Sequence, residues 1–471
     1  MTVKVRFAPS PTGYLHVGNV RTALINWLFA RKYDGHFLLR MDDTDLERSK
    51  PAYELAILED MEWLGLTHDS FFKQSERFNR YKEIMDKLIL MERLYPCYET
   101  SEELEFKRKR QLGRGEPPRY DRAALKLTKE ERSTFEREGR KPHYRFLLED
   151  KDVSWHDLIR GTTHFGPGTL SDPVLVRADS AYLYTLTSVV DDVDTSITHI
   201  LRGEDHVTNT AVQVQLFEAL GRDPSTIRFG HTTLLMEKGG GSLSKRLGSL
   251  SIGQLRHQGL EPTAICSLLA RLGTSLPVRP VLSLCKIVEL FDLETFSRNP
   301  PQFDLDELKE LNHKIIAMMP FDQIYPKLLA KGFSDFSEAE WDLFKGNIGS
   351  DEDFKLWHDI FHSEIKVPTG IEKDSIQKAL EYLPKEPFTQ ETWSKWMGVL
   401  KEKTGRKGKQ LFMPLRQALT GRDHGPEMKD ILPLLGYNKV KKRLEAVCTE
   451  EDICNLLDTN CETFILGKKT S

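Results

Sequence analysis

Residues 3–64 switch repeatedly between two hydrophobic periodicities, and few folds accommodate the order in which they switch. Val3 to Phe7 alternates apolar with basic residues and runs into the turn-rich Ala8-Pro9-Ser10-Pro11-Thr12-Gly13, as a strand entering a loop does. From Gly18 the apolar residues Val20, Ala23, Leu24, Trp27 and Leu28 recur at helical spacing up to Asp34-Gly35. His36 to Met41 then reads as a second strand that ends in Asp42-Asp43-Thr44-Asp45, and a further amphipathic helix follows Pro51 through Leu55, Leu58, Met61 and Leu64. Strand, loop, helix, strand and helix in this order predict a parallel α/β sheet that binds ligands at the carboxyl ends of its strands.

Between about residues 75 and 185 the alternation breaks down. Lys107-Arg108-Lys109-Arg110, Arg114, Pro117-Pro118 and Arg119 form a basic, turn-rich stretch, followed by candidate strands at His143 to Leu148 and Pro173 to Arg177. This stretch reads as an α+β insertion in the sheet domain. The α/β pattern resumes with Leu186 to Val190, the acidic turn Asp191-Asp192, and Ile197 to Leu201 ahead of Arg202-Gly203-Glu204-Asp205. Beyond Leu250 the segments are helical in period, for example Pro262 to Leu272, Asp304 to Met319 and Glu451 to Leu457. The expected organisation is a Rossmann-like domain over 1–75 and 186–250, the insertion over 76–185, a helical linker over 251–320 and an all-α region over 321–471.

Composition excludes several classes. The chain of 471 residues carries 67 Lys plus Arg against 71 Asp plus Glu, a net charge of −4, so any basic surface must be local. The 6 cysteines, Cys97, Cys266, Cys285, Cys448, Cys454 and Cys461, form no C-x-x-C pair and are too scattered for a disulfide scaffold. The amino terminus lacks the apolar core of a signal peptide, and no stretch reaches the roughly 18 apolar residues of a membrane span. A cytoplasmic location with no membrane partner is the expectation.

Two stretches suit phosphate. Gly13-Tyr14-Leu15-His16-Val17-Gly18-Asn19 sits where the first loop enters the first helix, whose amino terminus offers free N–H groups and a positive dipole end. Gly18 lets a ligand approach the backbone, and His16 can donate to a phosphoryl oxygen. Far along the chain, Gly239-Gly240-Gly241-Ser242-Leu243-Ser244-Lys245-Arg246 joins a glycine hinge to hydroxyl and cationic donors, with Lys245 as a mobile charge for phosphates. Each stretch alone reads as an ordinary polar loop. Their joint occurrence is the signal.

Arg6 to Gly13, Leu15-His16-Val17-Gly18, Arg21-Thr22-Ala23-Leu24, Arg40 to Asp45, Val189-Val190-Asp191-Asp192, Arg202 to His206 and Leu243-Ser244-Lys245-Arg246 together resemble a bacterial glutamyl-tRNA synthetase, a class I enzyme. The resemblance is dense over 1–250. It continues through Phe412-Met413-Pro414-Leu415-Arg416, Ala418-Leu419-Thr420-Gly421 and Gly425-Pro426-Glu427, as in the family's anticodon-binding half. It implies a glutamate-tRNA ligase that uses ATP with Mg2+, L-glutamate and tRNA-Glu, with tRNA-Gln left open as a second substrate. Such a reaction needs orientation and charge stabilisation more than proton transfer.

The resemblance assigns His16, Gly18 and Lys245 to catalysis. It assigns Gly18, Asn19, Asp205, His206, Leu235, Ser244, Lys245 and Arg246 to ATP. It assigns Arg6, Ala8, Ser10, Asp42, Tyr184 and Arg202 to glutamate. In that scheme Arg6, helped by Tyr184, takes the side-chain carboxylate, Arg202 takes the α-carboxylate, and Ser10 and Asp42 meet the ammonium group. The plainer alternative pairs the two arginines with Asp42, Asp43 or Asp205. Asp191-Asp192 reads either as a metal site or, preferably, as a structural turn.

The sequence also departs from the family pattern. Asn19 stands for the second histidine of the first signature, Ser242 for the first lysine of the second, and Asp42 for a frequent glutamate. Of the cysteines that bind zinc in some relatives only Cys97 remains, followed by Tyr98-Glu99, so no structural zinc and no other resident metal are expected. The insertion's basic run fits an acceptor stem. Lys401, Lys403, Arg406, Lys407 and Lys409 with Lys439, Lys441, Lys442 and Arg443 fit an anticodon-side surface. The family expectation is a monomer. A non-catalytic tRNA-binding paralogue is the alternative, and retention of His16, Gly18 and Lys245 argues against it.

Overall fold

A computed structural model describes residues 2–241, 251–349, 351–368 and 370–448. The chain divides into two compact units, Met1–Leu308 and Lys309–Ser471.

The first unit is built on parallel strands. β1 (Lys4–Phe7) pairs in parallel with β2 (His36–Met41), and β2 with β3 (Ser70–Lys73). Helix α1 (Val17–Lys32) connects β1 to β2, and α2 (Pro51–Trp63) connects β2 to β3. After α3 (Phe78–Leu90) the chain forms an antiparallel sheet from β4 (Leu94–Cys97), β5 (His143–Phe146) and, further on, Val174–Val176. Helices α4 (Ser101–Gly113) and α5 (Lys129–Arg137) lie between β4 and β5. The basic run 107–110 therefore sits on a helix, not in the turn-rich segment expected. Its amino terminus is fixed by a capping box, in which Thr100 and Glu103 each satisfy the other's backbone N–H.

The hairpin β6 (Val153–Asp157) and β7 (Gly161–Phe165) falls inside 76–185 in sequence but packs elsewhere. β6 joins β10 (Arg228–Thr232) in parallel, and β10 pairs with β9 (His199–Gly203); Val174–Val176 is β8. The Asp157 carboxylate fixes this join, accepting from the N–H groups of Ile159, Arg160 and His231 at 3.0, 3.0 and 3.1 Å.

The two parallel groups meet at β1 and β9. Thr198 N–H donates to the Lys4 carbonyl at 3.0 Å, and Lys4 N–H donates to the Thr198 hydroxyl at 2.8 Å. Across the sheet the order is thus β3-β2-β1-β9-β10-β6, and strand order reverses between β1 and β9, where α/β sheets open a crevice for ligands. The core contains Leu38, Leu186, Val189, Val190, Leu216, Phe217 and Phe229.

One expectation is corrected here. Asp191-Asp192 is not a turn; with Leu186 to Val190 it belongs to helix α6 (Tyr184–Asp194), which is followed by α7 (Val207–Ala219) after β9. The helix is fixed by burial in the core, to which Leu186, Val189 and Val190 all belong. The two aspartates are buried and held by cations. Arg40 donates to Asp42 through Nε at 2.6 Å and Nη2 at 3.0 Å, and to Asp192 through Nη1 at 3.0 Å. Asp191 accepts from Gln74 at 2.7 Å, Arg77 at 2.8 Å and Tyr81 at 3.0 Å. These partners account for both carboxylates without a metal ion.

The second unit is helical, from Phe321–Ala330 to Met428–Glu445, around the fully buried Trp341 and Trp396. Several cations expected on an anticodon-side surface are structural instead. Arg443 is buried and donates to the carbonyls of Leu419, Ile360 and Ser363; Lys439 donates to the Phe361 carbonyl; Arg406 is tied to Glu372 and Asp374. The expected helix Glu451 to Leu457 lies outside the described residues.

Removing one member of a buried ion cluster costs about 3–5 kcal/mol, because the partners stay behind uncompensated. Arg40→Met should therefore lower the stability of the first unit by about that amount, read as a drop in its urea midpoint. A loss below about 1 kcal/mol would show that the cluster does not hold α6 to the sheet.

Candidate functional site

A cavity of about 690 Å³ opens where β1 and β9 end, lined by residues 6–16 with gaps, the start of α1, Tyr184, residues 201–206 with gaps, and 232–236. It brings together Arg6, Ala8, Ser10, His16, Gly18, Asn19, Tyr184, Arg202, Asp205, His206 and Leu235. Asp42 is not in its lining; its carboxylate is taken by Arg40. Burial lifts the Asp42 carboxyl to about 6 against the opposing pull of Arg40. Ser244, Lys245 and Arg246 lie outside the described residues. The chain on either side of them borders the cavity, since Met236 is in the wall and Ile252 N–H donates to the Leu15 carbonyl at 3.0 Å.

His16 is the N-cap of α1. Its Nδ1 accepts from the N–H groups of Gly18 at 3.1 Å and Asn19 at 3.4 Å, and the Asn19 side-chain oxygen accepts from His16 N–H at 3.4 Å. A ring nitrogen that accepts carries no proton, so the remaining proton sits on Nε2 and is free to be donated. Burial also lowers the His16 pKa, which favours the same neutral form. Gly18 is required by this cap as well as by any ligand, because a Cβ there would lie 2.9 Å from His16 Cε1.

Arg6 and Arg202 are 4% and 5% exposed, so both guanidinium groups have been taken out of water. Their partners differ. Arg6 Nε donates to Asp192 at 3.2 Å, a residue absent from the plainer pairing scheme, which named Asp42, Asp43 and Asp205. Arg202 forms no ion pair among the described residues. Its Nη1 donates to the Tyr184 hydroxyl at 2.8 Å, its Nη2 to Thr210 at 2.5 Å and Gln213 at 2.6 Å, and its Nε to His231 at 3.5 Å. The Tyr184 hydroxyl is thus bonded to Arg202, where the resemblance has it helping Arg6 with the side-chain carboxylate. Having accepted from Arg202, its hydroxyl still has a proton to donate. Burial holds the Arg202 pKa below its ordinary value; Tyr184 opposes this and Arg6 adds to it.

Behind Arg202 lies a support that no short motif announces. His231 is fully buried, and its Nδ1 faces Asp157 at 2.5 Å while Nε2 meets the Thr210 hydroxyl at 2.8 Å. Burial opposes ionisation of Asp157, but the hydrogen bonds from His231 and from backbone amides hold it down to about 2. His231 is kept neutral by burial. A lone histidine in a strand gives no sequence signal for this role, and Thr210 and Gln213 read only as helix residues.

His206 stacks at an angle on Tyr184, ring centroids 5.2 Å apart, and burial next to Arg202 lowers its pKa to about 4. Asp205 is the acidic residue in the cavity lining, and a single, half-exposed carboxylate is no metal cage. Away from the cavity, Cys97, Glu99 and His143 place their ligand atoms within 4.8 Å of one another. That set has one thiol, pushed up to about 11 by burial, and its Glu99 is already engaged by Lys107 and Tyr120.

Comparison with known proteins gives a consistent result. Residues 2–310 match the family model described as tRNA synthetases class I (E and Q), catalytic domain, and residues 351–448 match the anticodon binding domain. Glutamate-tRNA ligase 1 of Maricaulis maris (strain MCS10) is 52% identical over 442 residues, covering 94% of this chain and 98% of that protein. The glutamate-tRNA ligase of Azospirillum brasilense is 51% identical over 445 residues, covering 94% and 99%. A crystal structure of a glutamate tRNA ligase from Elizabethkingia meningosepticum in complex with its amino acid superposes with a TM-score of 0.81 at 28% identity, covering 95% of this chain and 99% of that one.

The environment of His206 fixes a pH response. Its folded pKa of about 4 lies below the 6.5 of an unperturbed histidine, so between those values the unfolded chain binds a proton that the folded chain refuses. This contribution is complete above pH 6.5 and is lost as pH falls toward 4. The His206 Cε1–H resonance should titrate near 4, and it should move upward in Arg202→Gln; a midpoint near 6.5 in the wild type would contradict the burial and charge described.

Proposed function

The chain belongs to the class I tRNA synthetases for glutamate and glutamine, and from that membership we propose that it joins L-glutamate to tRNA-Glu at the expense of ATP. The observation that carries the reading is Arg202, a buried cation with neutral hydrogen-bond partners and no carboxylate of its own among the described residues. A dicarboxylic substrate supplies the missing anion.

The two guanidinium groups divide the amino acid, with the α-carboxylate at Arg202 and Tyr184 and the side-chain carboxylate at the free end of Arg6. Glutamine would leave Arg6 facing an amide, which underpairs a buried guanidinium. Ser10 meets the ammonium group, while Asp42 acts through Arg40 or across water.

ATP lies over the strand ends, with adenine near Leu235, ribose near Asp205 and His206, and phosphates at the amino terminus of α1. Mg2+ enters with the nucleotide. In the first step a glutamate carboxylate oxygen attacks the α-phosphorus and pyrophosphate leaves. The His16 Nε2–H and the α1 terminus stabilise the charge that develops on the phosphoryl oxygens. Lys245 provides a cation for the departing pyrophosphate. In the second step a hydroxyl of the terminal ribose attacks the acyl carbon and AMP leaves.

We assign the insertion 76–185, apart from the hairpin Val153–Phe165, to the acceptor stem, because α4 and the segment 116–121 border a groove of about 470 Å³ rich in basic residues, among them Lys107, Arg108, Arg110, Arg114 and Arg119. The helical half takes the anticodon, and the chain works as a cytoplasmic monomer. Among the described residues no helix is long and apolar enough to cross a membrane.

Aminoacylation with radiolabelled glutamate and glutamine on purified tRNA-Glu and tRNA-Gln tests the reading. Glutamate should be joined to tRNA-Glu and glutamine to neither; inactivity with glutamate on both tRNAs refutes it. Arg202→Gln should cost about 2–5 kcal/mol in kcat/KM for glutamate, roughly 30-fold or more, with the KM for ATP little changed. Lys245→Ala should abolish most adenylate formation with tRNA present while leaving glutamate binding intact; equal activity would remove Lys245 from the phosphate site.

A further inference from the structure

The helical unit contains a cluster that aminoacylation does not use. His358 and His362 stand one turn apart on the helix Asp351–His362 and face Asp335, which lies in the loop between the helices Phe321–Ala330 and Glu338–Phe344. His358 Nε2 is 2.9 Å from one oxygen of Asp335, and His362 Nδ1 is 3.2 Å from the other. Of the far nitrogens, His362 Nε2 meets Glu340 at 3.1 Å, while His358 Nδ1 stands 3.6 Å from Asp359, beyond hydrogen-bond distance. We propose that Asp335, His358 and His362 form a binding site for a zinc-class divalent cation, with solvent completing its coordination.

Three features support this assignment. First, the donor set is two imidazoles and a carboxylate, the mixture that zinc accepts when a position is left to water. Second, His362 directs one nitrogen inward and has the Glu340 carboxylate at 3.1 Å on the other, the outer arrangement that orients the ring in histidine metal sites. Glu340 is buried and is itself held by the Ser337 hydroxyl and N–H, so it makes a rigid support. Third, the local charge favours a cation: Asp335, Glu340 and Asp359 surround two imidazoles, and Lys439, which approaches Glu340, has its ammonium turned to the Phe361 carbonyl. The Cys97 cluster is less favourable, because Lys107 sits on Glu99 and Arg145 lies 4.1 Å over the Tyr120 ring.

Zinc at this position would tie the 335 segment to the helix carrying the histidines. It needs no part of the catalytic reading and holds whatever the substrate proves to be. The test is a zinc chloride titration of the metal-stripped full-length chain against a chromophoric chelator, repeated with cobalt(II) for its visible absorption. Wild-type protein is expected to bind about one equivalent with Kd on the order of 1 μM or tighter, to show tetrahedral cobalt absorption and to melt at a higher temperature with zinc. His358→Asn/His362→Asn should lose this, and Glu340→Gln should weaken it about tenfold. Asp335→Asn, a change at an exposed position, covers the case in which the double variant does not fold. Cys97→Ser should bind as the wild type does. Absence of binding in the wild type, or binding that survives Asp335→Asn and the histidine changes but is lost in Cys97→Ser, overturns the proposal.

Discussion

Three adjacent parallel strands each carry a buried arginine near the carboxyl end: Arg40 in β2, Arg6 in β1 and Arg202 in β9. Burying a guanidinium is costly unless an anion shares its site. The fold provides Asp42 and Asp192 for Arg40, and Asp192 for Arg6. For Arg202 it provides only hydroxyls, an amide and an imidazole among the described residues. Arg202 is therefore a buried cation for which the described residues supply no carboxylate, at the point where strand order reverses and a cavity opens.

The rest of the first unit serves that arrangement. Helix α6 contributes Tyr184 at one end and Asp191 and Asp192 toward the other, so the element that orients Arg202 also neutralises its neighbours. Asp157 and His231 reach Arg202 from behind through Thr210, which keeps the guanidinium from turning toward solvent. At the mouth, His16 caps α1 through Nδ1, so holding the helix terminus and presenting an Nε2 proton are one structural fact.

Much of this could be read from the chain. The strands at Lys4–Phe7 and His36–Met41 and the helices after Gly18 and Pro51 follow from periodicity, because each buries one face against the sheet. The residues His16, Arg6 and Arg202 stand in motifs, and one cavity gathers them. What escaped was set by tertiary contacts. Asp191-Asp192 reads as a turn but lies on helix α6, and the hairpin Val153–Phe165 leaves its neighbours in sequence to edge the main sheet. Arg406, Lys439 and Arg443 look like surface charges in sequence, yet each is taken up by carbonyls or carboxylates inside the helical unit. His231 and Asp157 carry no local pattern, since their roles come from strands distant in the chain.

The most direct measurement is a crystal structure of the chain with L-glutamate bound. The account predicts one carboxylate of the amino acid within hydrogen-bond distance of Arg202 and the Tyr184 hydroxyl, and the other at the free end of Arg6. Glutamate seated in the cavity with Arg202 still facing only Tyr184, Thr210 and Gln213 would contradict it.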